Sequence, residues 1–145
     1  MDKDGFNLAG FLPYQLSVAS NAVSMRIARV YQGEFGLKVT EWRVMAMLGD
    51  AGAQTQRELT ARTLMDKVAV NRACKSLEAK SLARRVPNQR DGRSHHLELT
   101  EEGQAMYDAI VPLAKGAERD LLALMTQEQQ QMLRDLLARM RDHAS

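Results

Sequence analysis

The feature that most constrains the fold of this chain is a basic segment with a turn at its centre, residues 84–100, which lies between two helical patterns. Its Asp91-Gly92 pair favours a tight hairpin turn, because glycine tolerates a positive φ and the aspartate side chain bonds the local backbone. After the turn, residues 95–99 alternate leucine with polar side chains, as in a strand that buries one face. The segment therefore predicts a two-stranded β-ribbon with arginines at its tip.

The composition indicates one mostly helical domain. The 145 residues are enough for a single domain, and a hydrophobic content of 45% is ordinary for a globular protein. Aromatic residues make up only 5%, and helix-forming residues dominate. No apolar run approaches the roughly 20 residues that span a bilayer, the N-terminus has no secretory signal pattern, and the single cysteine suits a reducing compartment. We therefore expect a cytoplasmic protein that does not contact a membrane.

The charge of the chain is unevenly distributed. The formal net charge is only +2, yet residues 66–96 hold eight lysines and arginines against three acidic residues. A local basic face on a nearly neutral chain is typical of proteins that bind nucleic acid. By contrast, the sequence has no nucleophile elbow, phosphate-binding loop, paired catalytic carboxylates or metal-ligand spacing, so neither an enzyme nor a cofactor is expected.

Three short helices are predicted before the ribbon. Thr40 is a plausible N-cap for the first, which carries Trp42. The sequence from Thr55 to Glu58 is a capping box that opens the second, and Asp66 caps the third, which runs to about Lys80. Two short helices with a tight turn between them, the second with a basic outer face, indicate a helix-turn-helix. With the ribbon added, the pattern predicts a winged helix-turn-helix.

The residues predicted to contact DNA lie at the start of the second helix, on the outer face of the third and at the ribbon tip. They are Thr55, Gln56, Lys67, Asn71, Arg72, Lys75, Arg90, Asp91 and Arg93. Arg84 and Arg85 have two open interpretations, since they could follow phosphate or could protect a strand edge from aggregation.

Amphipathic helices flank this lobe. A long helix is predicted from Leu12 to about Phe35, ended by Gly36, and Thr100 caps another that runs to about Met125 with a kink expected at Pro112. A capping box from Thr126 to Gln129 opens a last helix. Their apolar stripes must be buried somewhere, and a second copy of the chain is the simplest partner. We expect a lobe at about 37–100 and dimerisation helices at about 8–35 and 101–143.

Several of these motifs occur together in one known family. They are Thr40-Glu41-Trp42-Arg43-Val44-Met45, Glu58-Leu59-Thr60-Ala61, Asn71-Arg72, Leu77-Glu78, Arg90-Asp91-Gly92-Arg93 and Leu97-Glu98-Leu99-Thr100-Glu101-Glu102-Gly103. In them the chain resembles the MarR family of bacterial transcriptional regulators over nearly its full length, 1–145. The resemblance implies a mostly helical homodimer with a small wing that binds a pseudo-palindromic operator in double-stranded DNA. It also implies repression that a small molecule relieves.

The resemblance assigns roles to particular residues. Arg93 would enter the minor groove, Asp91 would orient it, and the helix after Asp66 would be the recognition helix. One departure is Ser81, which stands where the family commonly has glycine after that helix. Serine tolerates the left-handed conformation poorly, so the helix end there is expected to differ.

The first helix is similar to that of family members that control aromatic-acid degradation. The similarity rests on Phe11-Leu12-Pro13-Tyr14-Gln15-Leu16-Ser17 and Arg26-Ile27-Ala28-Arg29. It leads to the hypothesis that an aromatic acid or its CoA thioester binds between the first helix and the Trp42 helix. The candidate effector residues are Tyr14, Ser17, Asn21, Arg26, Trp42 and Arg43. Ordinary packing is the alternative for Trp42, and the same alternative applies to Tyr14, Ser17 and Asn21.

Two other functions are alternatives to ligand-controlled DNA binding. Cys74 could make the chain a redox sensor, but it shares a face with Val70 and Leu77 and has no partner cysteine, so a buried apolar role is favoured. The winged fold could also serve as an adaptor that contacts proteins. The basic segment argues against that function, because protein interfaces are depleted in lysine.

Overall fold

The computed structural model describes residues 5–87 and 95–145. The elements in these residues, numbered in chain order, are α1 Leu12–Gln32, α2 Val39–Ala51, β1 Gln54–Thr55, α3 Gln56–Thr63, α4 Lys67–Ala79, β2 Ala83–Pro87, β3 His95–Leu99, α5 Glu101–Leu122 and α6 Gln127–Ala144, with a short 3-10 turn at Leu8–Gly10. This order confirms the mostly helical winged helix-turn-helix. None of these helices is long and apolar enough to cross a membrane.

The core of the lobe lies where α2, α3 and α4 meet the sheet. Val44, Leu59, Val70 and Leu77 are completely buried there, and Leu97 of β3 closes the cluster. These residues come from four elements, and each occupies the inner face that its helical or strand spacing predicts. The packing holds α4 across the lobe with its opposite face in solvent.

Most helix starts agree with the predicted caps. Asp66 Oδ1 accepts the Ala69 N–H at 2.8 Å, and Thr100 Oγ1 accepts the Gly103 N–H at 3.0 Å. The capping boxes at Thr55 and Thr126 are both formed. These local hydrogen bonds satisfy N–H groups that a helix leaves free at its first turn.

The predicted cap at Thr40 is wrong. Helix α2 begins at Val39, so Thr40 lies inside its first turn. The carboxylate of Glu41 accepts the N–H of Lys38 at 2.8 Å and performs the function expected of the threonine hydroxyl. A side chain at the third helical position can satisfy the start of a helix as effectively as one at the cap.

The sheet has three antiparallel strands rather than two, in the order β1-β3-β2. β2 and β3 form the predicted ribbon, with Arg84 opposite Glu98, while Gln54 of β1 pairs with Leu97 on the other side of β3. β1 has two residues, too few to show a strand periodicity in the sequence. The ribbon tip, with Arg90, Asp91 and Arg93, lies outside the described residues.

The flanking helices differ from prediction mainly at their ends. α1 stops at Gln32, three residues early, and α5 continues without interruption past Pro112 and ends at Leu122. α1 packs against α5, but it buries only Ala28 and Tyr31. α6 buries no side chain in the single chain.

Candidate nucleic-acid interface

Helix α4 has one buried face and one exposed basic face. Its inner face buries Val70, Ala73, Cys74 and Leu77. The residues predicted to contact DNA lie on the other side, with Lys67, Arg72 and Lys75 exposed and Asn71 half-buried. The structure therefore brings these four candidates onto one surface.

The basic side chains of residues 66–87 fall into two groups. Those beside the sheet and at the end of α4 pair with carboxylates: Arg84 with Glu98 at 2.8 Å, Arg85 with Glu78 at 2.9 Å and Lys80 with Glu41 at 2.9 Å. Lys67, Arg72 and Lys75 form no ion pair among residues 5–87 and 95–145. Three cations on one helix face are thus available to an external anion.

Glu41 connects the start of α2 to the end of α4. Its carboxylate is buried and accepts hydrogen bonds from Lys80 Nζ at 2.9 Å, from the Ser76 hydroxyl and from the Lys38 N–H. Burial alone would raise the pKa of this carboxyl, but the hydrogen bonds and the charge of Lys80 hold the pKa below its ordinary value. The ionised Glu41 therefore ties α4 to α2.

Thr55 and Gln56 are half-buried at the start of α3. The Thr55 hydroxyl is already engaged with Glu58, at 3.0 Å from Oε1 and 3.2 Å from the backbone N. Both residues line a cavity of about 300 Å³ beneath the wing. At this end of the lobe, a phosphate would bind to the free N–H groups at the start of α3 rather than to the Thr55 side chain.

Cys74 also lines the cavity beneath the wing. Burial, with a smaller effect of the nearby Glu78 carboxylate, raises the pKa of its thiol to about 11. The thiol is therefore protonated near neutral pH, whereas reactive cysteines are exposed and have lowered pKa values. The structure supports the buried apolar role of Cys74 over the redox-sensing one.

A second cavity lies between α2 and α5, and Trp42 is the largest aromatic residue that lines it. The Trp42 ring stacks between Tyr31, at 5.4 Å between centroids, and Tyr107, at 6.3 Å. The cavity measures about 370 Å³, and we call it the aromatic cavity. It is lined by Trp42, Ala46, Met47, Asp50, Tyr107, Val111, Ala114 and Lys115.

The other effector candidates are not brought to the aromatic cavity within one chain. Tyr14, Ser17, Asn21 and Arg26 are exposed on α1, and Arg43 is exposed on α2 next to Trp42. Tyr14 precedes the stacked Tyr31 by 17 positions, about 25 Å along a helix axis.

Sequence reasoning missed Tyr107 and Lys115 as residues of this site. They lie some 60 residues after α2, so only the packing of α5 on α2 places them there. The sequence signal for these two residues was their helical spacing, which does not distinguish a residue that lines a ligand site from one that packs in a core.

Comparison with known proteins identifies this arrangement of helices and wing. A family model described as MarR family matches residues 35–94, which include α2, α3, α4 and the first strand of the wing, β2. Over these residues the chain is similar to the MarR family of transcriptional regulators.

Relatives and solved structures extend the match beyond the wing. A MarR/EmrR family transcriptional regulator from Acinetobacter sp. ADP1 has the same fold with a TM-score of 0.86 and 27% identity, covering 96% of this chain and 98% of that one. An HTH-type transcriptional regulator of Bacillus subtilis, YdgJ, is 25% identical over 97% of this chain and 87% of its own length. The homoprotocatechuate degradative operon repressor of Escherichia coli is 27% identical over 67% of this chain and 66% of its own.

The structure explains the departure of this chain from the MarR-family pattern at Ser81. Ser81 adopts the left-handed conformation, with φ 60°, directly after α4. Its N–H bonds Glu78 O at 3.0 Å, and the Leu82 N–H bonds Leu77 O at 2.9 Å, which together form a Schellman motif. Serine therefore occupies the same kind of helix end that glycine favours, at a conformational cost. The expectation of a different cap is wrong.

The Leu-Thr-x-x-Gly motif has a physical reason in this MarR-family fold. Thr100 caps α5, and its hydroxyl also donates to Ser81 O at 2.6 Å. A Cβ added to Gly103 would lie 1.9 Å from Leu82 O, so no larger residue fits against the chain that leaves α4. The motif therefore joins the start of the long helix α5 to the chain that leaves α4 through direct backbone contact.

Proposed function

We propose that this chain is a MarR-family repressor that binds double-stranded DNA with α4 in the major groove. The proposal rests on a difference among the lysine and arginine side chains of residues 66–87, some of which form ion pairs with carboxylates while others do not. The cations beside the sheet pair with carboxylates, whereas Lys67, Arg72 and Lys75 have no carboxylate partner among the described residues. Phosphate contacts by such side chains position a protein on the duplex, and polar side chains such as Asn71 can reach base edges.

The wing completes the proposed contact. Arg93 is proposed to enter the minor groove with Asp91 orienting it, and Arg90 to lie beside the phosphates. The support is the basic turn sequence of the tip, together with the position of β2 and β3 directly after α4. A narrow minor groove concentrates negative potential, so AT-rich flanks are the expected target of Arg93.

DNA binding is tested by selecting preferred sequences from a random library and measuring affinity by fluorescence anisotropy over a range of salt concentrations. Lys75→Ala is expected to weaken binding evenly across sequences and to flatten the salt slope by about one unit. Arg93→Ala is expected to weaken binding most at AT-rich flanks. Arg84→Ala is the matched control, because it removes the same charge from a side chain that already pairs with Glu98. A chain that selects no sequence, or equal salt slopes for all variants, would refute the assignment.

The functional unit is proposed to be a homodimer. α6 presents Met132, Leu133, Leu136, Leu137 and Met140 to solvent, and Leu12, Val18 and Val23 of α1 are also exposed. Apolar stripes of this size on helices outside the lobe require a partner surface. A two-fold axis would place each apolar stripe against the same stripe of a second subunit. It would also set the two recognition helices in successive major grooves, with half-sites roughly 10 base pairs apart.

The effector is proposed to be an aromatic carboxylate or its CoA thioester bound in the aromatic cavity. Trp42 and Tyr107 line the cavity with aromatic surface, and Lys115 offers a positive charge for a carboxylate. A relative named for a homoprotocatechuate degradative operon supports an aromatic acid. Because the cavity lies between α2 of the lobe and α5, a bound ligand would alter the angle between lobe and dimer arm. It releases DNA only if it binds the DNA-incompetent shape more tightly.

A further inference from the structure

The surface of the lobe has two large apolar side chains that its fold does not use. Leu64 is 90% exposed and Val68 is 61% exposed. Within the described part of the lobe, residues 37–87 and 95–100, every other large aliphatic or aromatic side chain is buried or half-buried. Single exposed apolar residues are ordinary on protein surfaces, but these two lie four positions apart at the start of the recognition helix.

Val68 lies in the same stripe as two of the unpaired cations. It is the second residue of α4, and Arg72 and Lys75 follow it by four and seven positions, which places all three side chains along one face. If Arg72 and Lys75 face DNA, Val68 faces it too, one turn closer to the helix N-terminus. Residues at that end of a recognition helix are the ones that reach base edges.

The side chain of Leu64 does not stabilise the backbone conformation at its position. It is the residue that ends α3, and it adopts the left-handed conformation with φ 59°. Glycine or asparagine would be less strained there and would leave no apolar side chain in water. Its presence enlarges the apolar surface at the same end of α4.

We propose that Val68 reads thymine by packing against its C5-methyl group in the major groove, with Leu64 extending the apolar contact. The inference rests on the proposed DNA-binding function and deepens it. The thymine methyl is the apolar group that base edges display in the major groove, and small apolar side chains recognise it. Val68 is surrounded by Lys67, Arg72 and Lys75, whose positive charges would contact the phosphates on either side of the base. A protein partner fits this surface less well, because interfaces between proteins are depleted in lysine.

The test removes single methyl groups from the DNA. In the selected operator, thymines are replaced one position per half-site by deoxyuridine, which keeps every hydrogen-bonding group and lacks the C5-methyl. For the wild-type dimer, one position is expected to lose about fourfold in affinity per half-site, the equivalent of the ~0.8 kcal/mol associated with one buried methylene-sized group. Val68→Ala is expected to bind thymine and deoxyuridine equally at that position, with an unchanged salt slope because no charge is lost.

The matched control is Leu124→Ala. Leu124 is 94% exposed in the turn between α5 and α6, away from the lobe, so its variant is expected to retain the full preference for thymine. The proposal is overturned if no thymine of the operator is sensitive to its methyl group, or if Val68→Ala retains the sensitivity. In both outcomes sequence-specific binding by the wild type stands, so the DNA-binding function survives. Failure of the wild type to select any DNA would overturn the function itself.

Discussion

Glu41 is a buried acidic residue whose role depends on its charge. Its carboxylate is 1% exposed, while Lys80, its partner at 2.9 Å, is 41% exposed. The hydrogen bonds from Ser76 and the Lys38 N–H leave the carboxylate satisfied without an additional group. Because a partly exposed lysine can return to water, breaking the pair costs less than for a pair in which both partners are buried.

We predict that Glu41→Gln lowers the free energy of unfolding by about 1–3 kcal/mol at neutral pH. The folded pKa of Glu41 is lowered relative to the unfolded value of about 4.3, so its contribution is complete above that pH and is lost as pH falls through the folded pKa. Urea unfolding at fixed protein concentration from pH 3 to pH 7 should therefore show wild type and Glu41→Gln converging at low pH. Glu118→Gln, an exposed carboxylate 3.9 Å from Arg134, is the control and should show little change. A difference that stays constant with pH contradicts the prediction.

Ser81 is a second residue whose effect follows from one backbone angle. We predict that Ser81→Gly stabilises the chain by about 0.5–1 kcal/mol, because glycine adopts the left-handed conformation without the Cβ contact that serine makes. Ser81→Ala, which retains a Cβ, should show no such gain. The measurement is the midpoint of urea unfolding for the three chains. Equal midpoints for the glycine and alanine variants would show that φ at this position carries no energetic cost.

At the scale of elements, the helix starts were predictable because capping is a local interaction. Asp66, Thr100 and the box at Thr55 each satisfy N–H groups within three residues. The error at Thr40 has a local cause too, since Glu41 performs the capping role from inside α2. β1 was missed because its two residues become a strand only by pairing with β3, some 40 residues later.

α6 is the element whose surface most requires a partner. We predict that Leu136→Lys shifts the chain from dimer towards monomer, because it places a charge within the apolar stripe. Gln131→Lys, on the polar side of the same helix, is the matched control and should leave the dimer intact. Sedimentation equilibrium measures both dissociation constants.

Removing α6 is the stronger form of the same test. A chain ending at Met125 should lose soluble dimer and DNA binding together. A truncated chain that remains a folded monomer, or identical dissociation constants for the two lysine variants, would count against the proposed architecture.

At the scale of the whole molecule, the aromatic cavity lies between the lobe and the long helices. We predict that benzoates or hydroxycinnamates, or their CoA esters, bind there and release operator DNA. Trp42→Ala should abolish most of the binding, and Lys115→Met should weaken carboxylate binding roughly tenfold, the effect of losing one charged hydrogen bond. Gly49→Ala should also weaken it, since the added Cβ would lie 2.4 Å from the Tyr107 ring and displace it.

Calorimetry and operator-release assays check these expectations. Tyr14→Ala is the control, because Tyr14 is exposed on α1 outside the cavity lining in the single chain. If Tyr14→Ala removes the response while Trp42→Ala leaves it intact, the ligand binds along α1 instead. If none of the compounds binds or releases DNA, the effector proposal is wrong and the proposal of DNA binding is unaffected.

Local signals in the sequence were enough for the order of the helices and the two wing strands, for the resemblance to the MarR family and for the basic face of α4. Caps and apolar spacing act over three or four residues, so Asp66, Asn71 and Thr100 are informative without knowledge of distant parts of the chain. The pairing of cations and the composition of the aromatic cavity depended on packing. Glu98 reaches Arg84, and Tyr107 reaches Trp42, only because segments far apart in the chain pack together. The local sequence determines the charge of a side chain and the helical face on which it lies. The tertiary fold determines which distant residue that side chain contacts.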